Sequence, residues 1–201
     1  MAYVNIRDKQ IQLKIVYYGP GQGGKTTNLL YINNYFSKKI KSQMVSIDTC
    51  GDRTIFFDTF PFDLGKINGF DIKIQLYTVP GQPKYDATRK LVLNGVDGVV
   101  FVADMLASMR RKNILSLNNL YENLMTYNKN IFKIPLVFQF NKVDLSQKGY
   151  PLLPKERLVN DLNRQLKRPY IIASALTGEN VAVTLKRIIS MTTANLKTNL
   201  N

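Results

Sequence analysis

Gly19-Pro20-Gly21-Gln22-Gly23-Gly24-Lys25-Thr26 satisfies the pattern G-x-x-x-x-G-K-[ST] in full. Those residue types at that spacing hold a polyphosphate. Glycines without a Cβ let successive backbone N–H groups turn toward phosphate oxygens, and a helix N-terminus adds partial positive charge. Lys25 neutralises the outer phosphates, and the Thr26 hydroxyl ligates Mg²⁺. The mechanism needs a strand before the loop and a helix after it. Residues 11–18 alternate apolar and polar side chains, and 26–36 set Leu29, Leu30, Ile32 and Phe36 at near-helical spacing. A glycine-rich turn without a ligand is the plainer reading, and it accounts for neither flank. Gly19, Gly21, Gln22, Gly23, Gly24, Lys25, Thr26 and Thr27 are therefore the candidate phosphate residues.

Asn141-Lys142-Val143-Asp144 directly follows an apolar run over 134–140. A guanine edge offers two adjacent donors that one carboxylate accepts together, whereas adenine would leave Asp144 unpaired. Sites built to bond a polar edge reject the analogue lacking it by about 10⁴ to 10⁵. Lys142 can lie along the base with its aliphatic stem, and Asn141 can tie this loop to the phosphate loop. Ser174-Ala175, after a last short strand, is placed by position to offer a backbone N–H to the guanine O6.

At the other end of such a ligand, Arg53-Thr54 closes a long polar segment, and Gly81-Gln82 follows an alternating strand. A mobile loop offering a hydroxyl to Mg²⁺ and an arginine to developing charge suits a switch. Gly81 can donate its N–H to a γ-phosphate, and Gln82 can orient an attacking water. The plainer reading of Arg53-Thr54, a solvated arginine beside a strand start, stays open.

These segments need a scaffold that gathers them. Segment 38–52 reads as an irregular polar loop long enough to carry function. Next come a strand over 53–62, a turn over 63–69 and a strand over 70–77, an antiparallel pair at a sheet edge. A helix over 84–94 and an apolar run over 96–103 follow, then a helix over 108–128 carrying Ile114, Leu117, Leu120, Leu124 and Tyr127. After the run over 134–140 come a helix over 154–164, a strand over 170–173 and a helix over 181–196. Uninterrupted apolar runs mark strands buried on both faces. The alternation predicts an α/β three-layer sandwich: a mostly parallel sheet with one antiparallel edge strand and helices on both faces. No repeat or linker divides the chain, so 1–201 is expected to be one domain. Ligands of such sheets bind outside the carboxyl ends of the strands, where the candidate segments converge.

At 45% hydrophobic and 21% charged residues, the composition is that of a soluble globular domain. No apolar run is long enough to span a bilayer, and no secretory leader is expected. Residue 2 is Ala and the last four residues are Thr-Asn-Leu-Asn, so no lipid anchor is expected. A single cysteine, Cys50, excludes an internal disulfide and suits a reducing cytoplasm. Without histidine, any metal must be held by oxygens, which favours Mg²⁺. The net charge of +14 raises nucleic acid and anionic membrane as partners. The basic residues are scattered, however, as in Lys38, Lys39 and Lys41 or Arg110, Arg111 and Lys112, and no nucleic-acid-binding motif is present. Solvated charge is the reading, with peripheral electrostatic contact to anionic lipid left open, and nothing demands more than a monomer.

With these segments in order, the chain resembles the Ras-like small GTPases, and among them the bacterial MglA-type group. The marks of that group are Thr26-Thr27 after the lysine, Gly51-Asp52-Arg53-Thr54 followed by Phe56-Phe57-Asp58, and Thr78-Val79-Pro80-Gly81-Gln82. The resemblance covers essentially the whole chain. It implies a P-loop NTPase fold, GTP/GDP and Mg²⁺ as ligands, and a single G domain acting as a switch with slow intrinsic hydrolysis of GTP to GDP and phosphate. For this group it also implies a GTPase-activating partner of the Roadblock/LC7 (MglB-like) type, effector proteins, and roles in cell polarity and gliding or twitching motility, in the cytoplasm with recruitment to a cell pole. Carried onto this chain, Gln82 positions water, Arg53 acts as an arginine finger in cis, and Thr54 closes over the γ-phosphate and joins Thr26 on Mg²⁺. One position departs: Thr78 stands where Ras-like proteins usually carry an Asp that acts on Mg²⁺, and Asp58 or Asp52 is expected to replace its charge. The rival reading is an interaction module that binds GTP with negligible hydrolysis and docks effectors through Phe56, Phe57, Phe60 and Phe62. A P-loop ATPase or nucleotide kinase is opposed by Asp144.

Overall fold

The computed structural model describes residues 3–36, 44–49, 52–57, 66–67, 69–82 and 85–200, and among them nine strands form one sheet. In chain order the elements are β1 (Tyr3–Asn5), β2 (Gln10–Tyr18), α1 (Lys25–Phe36), β3 (Met44–Thr49), β4 (Asp52–Phe57), β5 (Lys66–Ile67), β6 (Phe70–Thr78) and α2 (Asp86–Leu93). They continue as β7 (Gly98–Asp104), α3 (Arg110–Met125), β8 (Leu136–Asn141), α4 (Lys155–Leu158), β9 (Tyr170–Ala173) and α5 (Val181–Leu200). Lys38, Lys39, Lys41, Cys50, Gly51, Asp58, Phe60 and Phe62 lie outside the described residues.

The sheet order is β3-β4-β6-β2-β7-β8-β9, with β1 paired to β2 and β5 to β6. β6, β2, β7, β8 and β9 run parallel. Burial alternates at the start of β2 and becomes continuous from Ile15 to Tyr18, where helices cover both faces. β7 and β8 are buried along their whole length, as their apolar runs predict. On one face Ile15, Tyr17, Val100, Val102 and Val137 pack with α1 (Leu29, Ile32) and α5 (Val181, Leu185, Ile188). On the other, Val16, Tyr18, Phe101 and Phe138 pack with α2 (Val92, Leu93), α3 (Leu120, Leu124) and α4 (Leu158). The three layers expected from sequence are present. Each such side chain fully removed from water contributes roughly 1.5–3 kcal/mol.

The antiparallel edge is present too: β4 pairs with β6 at Phe56↔Tyr77. It is two strands deep, since β3 pairs with β4 from Met44↔Phe57 to Thr49↔Asp52. Over the described residues Met44–Thr49 this corrects the expectation of an irregular segment across 38–52. Val45, Ile47 and Thr49 are β-branched at alternate positions, and an edge strand is held by its backbone ladder without needing an apolar run. The helix expected over 108–128 starts as a tight turn, Ala107–Met109, before α3. The one expected over 154–164 starts as α4 and widens into a π-type turn over Val159–Asn163. Among the described residues no helix is long and apolar enough to cross a membrane.

Candidate functional site

The parallel strands end on one side of the sheet, and β4, running opposite to β6, starts there. The phosphate loop leaves central β2, between β6 and β7, at the point where the chain's crossovers diverge.

One buried amide gathers the loops after β2, β8 and β9. Asn141 Nδ2 donates to Gly23 O at 2.8 Å, and its Oδ1 accepts the Ala175 N–H at 2.8 Å. Asn141 thus joins the phosphate loop, the loop after β8 and the loop after β9, the tie to the phosphate loop being the one its sequence position suggests. Gly24 stands against this amide with φ +96°, and a Cβ there would fall on Asn141 Nδ2. Glycine is required on both counts.

Lys142 adopts a left-handed backbone (φ 78°), and its Nζ donates to Asp104 Oδ2 at 2.5 Å. Asp104, fully buried at the end of β7, also accepts the Leu106 N–H at 3.0 Å. Asn113 of α3 brackets its backbone: Oδ1 accepts the Asp104 N–H at 3.0 Å and Nδ2 donates to Asp104 O at 2.8 Å. A carboxylate this deep is costly unless paired, and here its partners are the Lys142 ammonium and the Leu106 N–H, one on each oxygen. Sequence reading missed Asp104, although a carboxylate directly after an apolar run was the available signal. Asp144 is half-buried, and its carboxylate has no hydrogen-bond or ion-pair partner among the described residues. Ser174 and Ala175 lie at the site with their amides engaged. The Ser174 N–H donates to Glu179 O at 3.0 Å and the Ala175 N–H to Asn141. A bond from either to guanine O6 therefore competes with these.

In the phosphate loop, buried Lys25 donates through Nζ to Gly19 O (2.9 Å) and Pro20 O (2.6 Å). Gln22 is exposed with φ 61°, turning the loop, and half-buried Thr26 and Thr27 lie in the first turn of α1. Asn28 supports the loop from behind. Its Nδ2 donates to Gly24 O (2.9 Å) and Gln139 Oε1 (2.7 Å), and Gln139 Nε2 donates back to Asn28 Oδ1 (2.9 Å). This amide pair was not read from the sequence, where two polar letters 111 positions apart carry no sign of pairing.

Gly81 meets the phosphate loop backbone to backbone, so a Cβ on Gly81 would fall on Pro20 and Gly21. From the other side, a Cβ on Gly21 would stand 3.6 Å from Gly81 C and 3.8 Å from Gln82 N, ordinary contact. Beside this junction a cavity of about 600 Å³ opens between α2 and α3, with Gly21, Gln82, Arg89 and Asn119 in its wall. Arg53 and Thr54 lie on β4 opposite Asp48 and Ile47, and the Phe56↔Tyr77 pairing turns their end of the strand toward the Thr78–Gln82 side. Asp52 opens β4 opposite Thr49, and Thr78 is buried.

Among the described residues no three acidic, histidine or cysteine side chains gather into a metal site. Thr26 suits a Mg²⁺ whose remaining ligands are phosphate oxygens and water, the usual division for this ion.

The sequence model of the Ras family matches residues 14–194, a range that takes in every segment from the phosphate loop to Ala175. The mutual gliding-motility protein MglA of Myxococcus xanthus (strain DK1622) is 44% identical over 200 residues, covering 98% of this chain and 98% of its own. The Ras-related protein Rab-27B of Rattus norvegicus is 25% identical over 186 residues, covering 92% of this chain and 81% of its own.

Proposed function

The chain belongs to the Ras family as an MglA-type small GTPase, and from that footing we propose that it cycles between GTP and GDP by hydrolysing the γ-phosphate, its two states being read by effectors. The observation that carries this reading is Asn141, one buried amide holding the phosphate loop against the loops after β8 and β9, beside an Asp144 carboxylate that has no partner among the described residues. In this reading those ties set a polyphosphate end and a guanine end at a fixed span.

In this reading the backbone of Gly21 to Thr27 holds the phosphates, and Lys25 exchanges its loop carbonyls for phosphate oxygens. Gly19, Gly23 and Gly24 shape the loop. Thr26 and Thr54 would hold Mg²⁺, which would supply positive charge to the phosphates. Gln82 orients the water. Water adds to the γ-phosphorus, the bond to the β–γ bridging oxygen breaks, and GDP departs with that electron pair while phosphate carries off the proton. Arg53 meets the charge developing on the bridging oxygen; arginines in this role contribute about 10³ to 10⁵ in rate in Ras and Gα systems. A Roadblock/LC7-type, MglB-like partner aligns Arg53 and Gln82 without inserting its own arginine. The output is control of cell polarity or motility from the cytoplasm, with recruitment to a pole.

Single-turnover hydrolysis of GTP by the full chain tests the reading. Slow phosphate release, reduced by about tenfold or more in Gln82→Ala, is the expected result. Stimulated turnover should disappear in Arg53→Ala. Tight GTP binding with no phosphate release, partner or not, would leave only the interaction-module reading.

A further inference from the structure

We propose that Arg89 is a positioning residue for hydrolysis: from α2 it holds the Gln82 segment against the phosphate loop, and α3 orients it. This rests on the assignment of Gln82 as the water-positioning residue. Arg89 is only 5% exposed, and each side of its guanidinium is occupied. Nη1 donates to Gln82 O at 2.6 Å and to Pro80 O at 3.4 Å, the carbonyls on either side of Gly81. Nε donates to Asn119 Oδ1 at 2.8 Å, and Nη2 pairs with Asp86 Oδ1 at 3.1 Å.

Those partners are fixed in turn. Asn119 and Asn123, both on α3, donate through Nδ2 to the same Asp86 oxygen at 2.8 and 3.1 Å. Tyr18 donates its hydroxyl to Asn119 Oδ1 at 2.6 Å, and Tyr18 is the residue directly before the phosphate loop. The Asn119 hydrogen bond, ahead of the others, holds the Asp86 carboxyl well below the usual carboxylate range, so it stays charged opposite the guanidinium. One side chain therefore spans the strand that launches the phosphate loop, the α3 layer and the segment carrying Gln82.

Gly81 has no side chain with which to anchor its segment, and apart from the Tyr85 N–H on Gln82 O at 3.2 Å, the flanking carbonyls are held by Arg89. A buried guanidinium keeps its place because its charge and donors are matched. A lysine ammonium is a compact point charge and cannot reach these three directions with fixed geometry. Nucleotide affinity is generated elsewhere, at Lys25, Asn141 and Asp144. Losing Arg89 should then misplace Gln82 and leave binding intact, and a shift of about 1 Å in a catalytic group costs up to about 10²-fold in rate.

The test compares single-turnover hydrolysis with GTP and GDP affinity in the full chain for Gln82→Ala, Arg89→Ala, Arg89→Lys, Asn119→Ala and the Gln82→Ala/Arg89→Ala double variant. Arg89→Ala should hydrolyse about tenfold or more slowly with affinities within about threefold, Arg89→Lys should restore little, and the double variant should be no slower than Gln82→Ala alone. Should Arg89→Ala fail to fold, Asn119→Ala removes the orienting acceptor without changing charge and should give the same split, more weakly. Arg89→Ala at the wild-type rate beside a slow Gln82→Ala would overturn this inference alone, as would parallel loss of affinity and rate. Gln82→Ala at the wild-type rate would overturn the role of Gln82 and this inference with it.

Discussion

At the base end, Asn141 commits both halves of its amide to neighbouring loops and Lys142 is paired with fully buried Asp104. At the γ-phosphate end, Gly81 meets Gly21 backbone to backbone, and the segment it belongs to leans on Arg89. Short buried side-chain bonds between loops give one geometry. The glycine junction has fewer such ties, its flanking carbonyls resting on one arginine of a neighbouring helix. A switch needs both kinds of construction: a part that recognises the ligand in either state, and a part whose arrangement depends on the terminal phosphate.

The contrast can be broken most severely at Asp144. Replacing it with Ala should collapse the preference for GTP over ATP by about 10⁴, read by competition against labelled GTP, while thermal stability changes little. Next in size is Gly21→Val. Its branches exceed the space that a lone Cβ fills at 3.6 Å, so hydrolysis should fall by up to about 10²-fold with GDP affinity nearly kept, and Gly21→Ala should be mild. Asp104→Asn should act the other way. It removes the charge opposite Lys142, so GTP and GDP should both weaken by about tenfold, the size of one charge-assisted hydrogen bond, at unchanged single-turnover rate.

The smallest effect is a pH dependence. Asp86 is held below its ordinary value of 3.8, first by the Asn119 hydrogen bond, and its side chain is 39% exposed. A depressed carboxyl adds stability above its unfolded value and loses it as pH falls through the folded one. The urea midpoint of Asp86→Asn should therefore trail the wild type at neutral pH, and the gap should begin to close below about pH 4 and narrow progressively as pH falls toward the folded value.

Much of this construction is visible in the letters. The phosphate loop, the buried runs ending at Phe140 and near Asp104, and the Asn141 motif all state local rules that the fold obeys. Strand β3 carried a short signal in the alternating β-branched Val45, Ile47 and Thr49, but Ser46 and Asp48 between them blend it into the polar stretch around it, and its place at the edge comes from pairing with β4. The Arg89 cluster was hidden for a related reason. Asn119 and Asn123 interrupt the apolar stripe of α3 as ordinary polar letters, and their purpose appears only when Tyr18, Asp86 and Arg89 arrive from up to 105 residues away. Asp104 stood between the two cases, at a strand end where a ligand-side carboxylate is expected yet with its partner Lys142 38 residues on.

Amide hydrogen exchange of the full chain with GDP, and again with a non-hydrolysable GTP analogue, addresses the division of the site directly. Protection should change between the two nucleotides over 52–57 and 79–93, while 141–145 and 174–179 stay equally protected in both. A change concentrated in the loops around Asn141 and Ala175, with the Gln82 segment unmoved, would contradict it.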